Sequence, residues 1–271
     1  MKRFPILLAA FAVAAVGSAQ GAPDVVSKLI DEGKNHSQVM RILNDITSKF
    51  GPRLTSSQRL EKAQKWAVGQ FKKFGCTNVH LEQWGEFPVG FERGANGFGR
   101  MTSPEVADFE FTSPSWTEGT RGPLKAKTIK VPATMDDFNA MKDQLKGKWV
   151  VYPTGRPARA PRPGTAPDPN LSDQMKLEQA LDGAGIAGRV WASRNELVIT
   201  DGNWRIDWND LPKGPRVMVR KSDMDKIVGQ MDAGKPVELE FNLDQKWVKG
   251  PRPQFNVVAE IKGTEKPDEV V

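Results

Sequence analysis

From about Gly119 to Leu243 the sequence alternates short apolar runs with helical stretches, and this alternation does most to limit the folds open to the chain. Ala126 to Val131 reads as a strand. Thr134 and Asp137 form a capping-box start to a helix that ends near Leu145, closed by Gly147. Trp149 to Tyr152 is the next strand, Leu171 to Leu181 a helix, and Ala184 to Val190 a tight entry into another strand. Arg216 to Val219 follows as a strand, and Ser222 caps a helix that runs to Met231 and stops at Gly234. Val237, Leu239, Phe241 and Leu243 alternate with Glu238, Glu240 and Asn242, the pattern of a half-buried antiparallel strand. A mixed α/β architecture is predicted.

Ahead of this region the spacing predicts three helices. Val25 to Glu32 is the first. Val39, Ile42, Leu43, Ile46 and Phe50 mark the second, stopped by Gly51-Pro52. The third starts at a Ser56/Ser57 cap, is expected to bury Leu60, Ala63, Ala67, Phe71 and Phe74, and ends at Gly75. In the strand after it, Val79, Leu81 and Gln83 face one way and His80, Glu82 and Trp84 the other. A glycine-rich stretch from Gly90 to Pro104 leads to a short strand near Phe109 to Thr112. Arg156 to Pro169 is a proline-rich loop that can neither pair into a sheet nor continue a helix.

Met1 to Ala19 has a basic start, a short apolar run and small residues, with Gly17 and Ala19 placed for signal-peptidase cleavage before Gln20. The run is well short of the roughly 20 residues a spanning helix needs, so an exported protein without a membrane anchor is expected. Cys76 is the single cysteine, which rules out an internal disulfide and reads as a buried, inert thiol. The net charge is +6, and losing Lys2 and Arg3 with the signal takes it to +4. That is too mild and too dispersed to indicate nucleic acid, and the proline-separated trio Arg156, Arg159 and Arg162 lacks aromatic residues beside it.

A metal site needs His, Cys, Asp or Glu clustered at ligand spacing. The two histidines, His36 and His80, lie on different elements, and His80-x-Glu82 reads as a solvated strand face. No Gly-x-Ser-x-Gly elbow, His-Glu-x-x-His motif or glycine-rich phosphate loop is present. Asp136-Asp137 and Asp223/Asp225 sit in the first turns of helices, where the macrodipole explains them. No catalytic, cofactor-binding or metal-ligating residue is therefore assigned.

Gly51-Pro-Arg-Leu-Thr-Ser-Ser57, Leu60-Glu61-Lys-Ala63 with Trp66, and Phe74-Gly75-x-x-Asn78-Val79-x-Leu81-Glu82 resemble the entry segment of the family 28 metallopeptidases, exported di-zinc aminopeptidases and carboxypeptidases. Ser56 stands where that family usually has glycine. Asn256-Val-Val-Ala-Glu260-Ile-Lys-Gly263 is similar to its strand-turn signature Asn-Val-x-Ala-x-Ile-x-Gly, and the alternating region resembles a protease-associated insert with Asp182-Gly-Ala-Gly-Ile186 as a helix-to-strand turn. The resemblance implies a signal peptide at 1–19, an N-terminal part of a peptidase domain at 20–118, an insert at 119–249, and a first strand of the returning catalytic domain at 250–271. It implies two zinc ions and a peptide substrate in the full-length protein, but the Gly-x-His-x-Asp strand end, the later ligands and the general-base glutamate have no counterpart here.

Phe255 to Ile261 reads as a strand, Gly263 to Asp268 as a turn, and Glu269-Val270-Val271 as the opening of another strand. The expectation is thus an inactive N-terminal portion of an exported zinc exopeptidase, truncated before the catalytic sheet is complete. The alternative is a secreted carbohydrate- or peptide-binding module, with Trp191, Trp204, Trp208 and Trp247 beside Asp201, Asn203, Asp207 and Asn209 as an aromatic platform.

Overall fold

The structure is a computed structural model, and it describes residues 24–158 and 169–269. The chain divides into two units, Met1–Ile46 and Thr47–Val271. In the first, helix α1 (Val25–Asn35) is capped by Asp24, which accepts from Ser27 N–H at 2.8 Å, and α2 (Val39–Asn44) follows. A π-helical turn, Asp45–Phe50, continues where a single helix to Phe50 was expected.

The second unit opens with α3 (Gln58–Lys73). The Ser57 hydroxyl accepts from Leu60 N–H, Lys72 and Lys73 complement the C-terminal dipole, and Gly75 leaves the helix at φ 83°. Strand β1 (Thr77–Arg93) then pairs antiparallel with β10 (Gln245–Glu260) in a long two-stranded ribbon, from Thr77 opposite Glu260 to Arg93 opposite Gln245. Helix α3 is fixed to it by Gln64, which donates to the Phe255 carbonyl at 2.6 Å, and by an ion pair between Glu61 and Arg252.

The remaining strands form one eight-stranded sheet. They are β2 (Phe98–Ser103), β3 (Ala107–Asp108), β4 (Phe111–Thr112), β5 (Leu124–Lys130), β6 (Trp149–Tyr152), β7 (Gly188–Ala192), β8 (Arg216–Val219) and β9 (Glu238–Asn242). Their order is β3-β2-β9-β5-β6-β7-β8-β4, with β5 to β8 parallel and the outer pairings antiparallel. The mixed α/β architecture read from the alternation is what the chain adopts. Strand β9 lies inside the sheet between β2 and β5, with Leu239 and Phe241 fully buried.

Period-two alternation sorts the core into two layers. Trp149, Val151, Val190, Val217, Leu239 and Phe241 pack with Met224 and Ile227 of α6 (Lys221–Asp232). Val150, Tyr152 and Trp191 pack on the other face with Phe138 and Leu145 of α4 (Met135–Leu145) and with Leu177 and Leu181 of α5 (Pro169–Gly183). A third cluster, Phe87, Phe91 and Trp116, lies under the ribbon, where Trp116 Nε1–H donates to the Val89 carbonyl at 2.9 Å.

Several local expectations shift. Strand β1 continues through Gly90 to Arg93, and Phe98–Ser103 is a strand rather than part of a loop, so the sheet takes in residues on both sides of position 119. Strand β10 likewise runs across position 249. Ser222 is not the cap of α6: the N-cap is Arg220, and Ser222 gives both its N–H and hydroxyl to Glu196 from inside the first turn. Cys76 is half-buried rather than buried, and of the residues α3 was expected to bury only Ala63 is buried, with Phe71 and Phe74 exposed. Glu269 lies outside any strand, while the signal segment, Arg159, Arg162 and Val270-Val271 lie outside the described residues.

Candidate functional site

The densest chemistry of the second unit is a charge cluster beneath α5. Arg189 on β7 is fully buried, next in register to Arg216 on β8. Its Nε donates to Glu178 Oε2 at 2.7 Å, and its Nη2 reaches the Glu178 carbonyl at 2.9 Å and Asp182 Oδ1 at 2.8 Å. Tyr152 donates to the other Glu178 oxygen at 2.7 Å. Burial works against the Arg189 charge, but Glu178 and then Asp182 outweigh it and hold the guanidinium above its usual value. Burial, and then the charge of Arg189, push Arg216 the other way. Burial first and the Glu178 charge second drive the Tyr152 phenol well above the usual range, so it stays a neutral donor. Glu178 and Asp182 tie Arg189 to α5 and Tyr152 ties Glu178 to β6, which makes the cluster a brace between α5 and the sheet, although Arg189 Nη1 and Arg216 Nε are buried without a hydrogen-bond partner.

The acidic pairs fall apart into separate duties. Asp137 completes the capping box with Thr134. Asp223 is almost fully buried, accepts from Glu110 N–H at 3.1 Å and pairs with Arg220, so it does more than meet a helix dipole. Asp225 pairs with Lys221 at 2.6 Å on an exposed face. The tryptophans do not form one platform: Trp191 is buried on the α5 face, Trp247 packs edge-on to Phe91, and Trp204 and Trp208 remain exposed. Trp204 rests against Phe87 at 4.6 Å instead. Arg156 is exposed.

No family model matches the sequence. Similar curated proteins are named carboxypeptidase Q. The one from Mus musculus is 26% identical over 241 residues, which cover 88% of this chain and 49% of the relative. The one from Homo sapiens is 23% identical over 251 residues, 88% of this chain and 48% of the relative. The chain spans about half the length of the curated relatives it matches. Among solved structures, a peptidase M28 precursor from Shewanella amazonensis SB2B aligns with a TM-score of 0.52 at 21% identity, covering 91% of this chain and 55% of that chain. The chain shares its fold with part of that peptidase.

The zinc pair that the family resemblance implies does not fit the residues present. Among the described residues, no three His, Cys, Asp or Glu side chains come together as a metal-holding group. His80 turns its Nδ1 to the Asn78 carbonyl at 2.7 Å, and His36 lies 3.4 Å from the exposed Asp31. Neither shares a cluster with other ligand types. No helix among the described residues is long and apolar enough to cross a membrane.

Proposed function

We propose that this chain is the N-terminal portion of an exported zinc-dependent exopeptidase that removes residues from peptide ends. The observation that carries the reading is the 26% identity to mouse carboxypeptidase Q, which runs along 88% of this chain yet reaches only 49% of the relative. On this reading the zinc ligands and the general-base glutamate belong to the other half of the enzyme. No step of hydrolysis is assigned to a residue of this chain.

Helix α3 and the β1/β10 ribbon are then the peptidase-domain part, and the eight-stranded sheet is the protease-associated-like insert. The insert was expected at 119–249. Because β2, β3 and β4 belong to its sheet and β10 to the ribbon, we set its bounds at Gly94 and Asp244. Export is supported by the basic, apolar and small-residue order of Met1 to Ala19.

The test compares this chain with one extended through the remaining half. Aminoacyl and dipeptide substrates should be hydrolysed by the extended protein alone, and a chelator should abolish that turnover. Chelator-sensitive hydrolysis by residues 1–271 would overturn the reading. Mass spectrometry of exported protein should find an N-terminus at Gln20 or within a few residues of it, whereas an intact Met1 would remove the signal peptide from the proposal.

A further inference from the structure

Beside the start of α3, the helix, the ribbon and the sheet line an open cavity of about 490 Å³. Its walls carry four cations: Arg59 and Lys62 from α3, Arg93 from the end of β1 and Lys246 from the start of β10. Two carboxylates, Glu92 and Asp244, also line it. Both are held by backbone donors, Glu92 by Gln58 N–H and Asp244 by Asn96 N–H at 3.1 Å. Among the described residues none of the four cations pairs with a carboxylate. Four positive charges against two negative leave the cavity with a surplus of two.

Arg93 makes this surplus chemically pointed. Its guanidinium is half-buried, and its acceptors are neutral: the Thr112 hydroxyl at 3.4 Å and the Ser113 carbonyl. Burial pushes it below the usual guanidinium value, and its partners are a hydroxyl, a carbonyl and the Phe91 ring at 5.9 Å, with no carboxylate among them. Arg59 and Lys62 stand three residues apart, on one face of α3 at its positive end, which adds to the same potential. Guanidinium forks match planar carboxylates and phosphates through paired donors, and lysines supply mobile point charges around them. A volume of about 490 Å³ suits a small molecule.

We propose that this cavity binds a small dianion bearing carboxylate or phosphate groups, held by Arg59, Lys62, Arg93 and Lys246. The site stands apart from the peptidase reading and does not depend on it.

Calorimetric titration tests it, with sodium succinate and sodium phosphate as separate probes and sodium chloride keeping the ionic strength constant. At least one probe should bind saturably at one site per chain, and the better of the two reports whether the ligand is a carboxylate or a phosphate. The double variant Lys62→Gln/Lys246→Gln alters exposed side chains, and it should weaken binding by about ten-fold or more with an unchanged circular dichroism spectrum. Arg59→Gln should do the same. Absence of saturable binding by both probes, or binding that survives these variants, would overturn the proposal.

Discussion

Arg189 Nε meets Glu178 Oε2 at 2.7 Å with the arginine fully buried, and Arg216 lies next to Arg189 on the neighbouring strand. Glu178, together with Asp182 at 2.8 Å, answers a charge that the sheet places beside a second cation. Removing Glu178 leaves Asp182 as the remaining carboxylate partner of Arg189, so the cost falls at the low end for a broken buried pair, about 3 kcal/mol. Glu178→Gln should lower the urea midpoint accordingly. Asp173→Asn, in an exposed pair on the same helix, should change it little. Equal shifts for the two variants would mean that the cluster is not a brace.

Tyr152 is the only tyrosine in the chain, so tyrosinate absorbance reports on it alone. Its folded pKa is raised above the ordinary 10.0, by burial first and by Glu178 second. The sign follows: the neutral phenol contributes stability that is fully present below pH 10.0 and is lost as the pH climbs from there toward the raised folded value. The native protein should show no tyrosinate at pH 10.0, where the urea-unfolded chain is half ionised. Coincident titration curves for the two states would contradict the buried hydrogen bond to Glu178.

What the sequence made legible was local. The Thr134/Asp137 capping box needs only residues three apart, and the runs Trp149–Tyr152 and Arg216–Val219 announce strands through their own apolar content. Pairing across the chain was hidden. Strand β1 passes through Gly90, which read as the start of a glycine-rich stretch, and its partner β10 lies far along the sequence. Gly99 looked like loop material, yet a Cβ there would stand 2.5 Å from the Phe241 ring, so β2 needs a glycine to pack. The Arg189 cluster left one usable signal, an arginine set in the apolar run Gly188–Ala192, since a charge in a buried strand requires partners. The cationic cavity left none, because its four cations come from three elements.

Ser56 sits at φ 71°, in the left-handed region, and its buried hydroxyl oxygen has no hydrogen-bond partner. The resemblance placed glycine at this position, and the backbone supplies the reason. Its N–H donates to Gln254 at 2.8 Å, which ties the turn before α3 to the ribbon. Ser56→Gly should keep that bond, relieve the left-handed strain and remove an unsatisfied hydroxyl. After the extra freedom of glycine in the unfolded chain is offset, a gain of roughly 1 kcal/mol is expected. A higher urea midpoint checks it, and a lower one would show that the serine serves a contact not accounted for by the turn.

The two strands of the ribbon approach closely at Gly250, beside the register shift between Phe87 and Val89. A Cβ on Gly250 would stand 2.0 Å from the Pro88 carbonyl oxygen and 2.9 Å from that of Phe87. Both are backbone atoms of the paired strand, so no side chain can rotate away to make room. Gly250→Ala must therefore part β1 from β10 where Phe87, Phe91 and Trp116 pack beneath them. A loss of roughly 3 kcal/mol is expected from this overpacking, read as a lower urea midpoint with weaker protection of the β1 and β10 amides in hydrogen exchange. Lys249→Ala, one residue earlier at an exposed position, should leave both readouts near those of the parent. Protection that falls at α4 and α5 while the ribbon amides hold would place the strain elsewhere and refute the close approach.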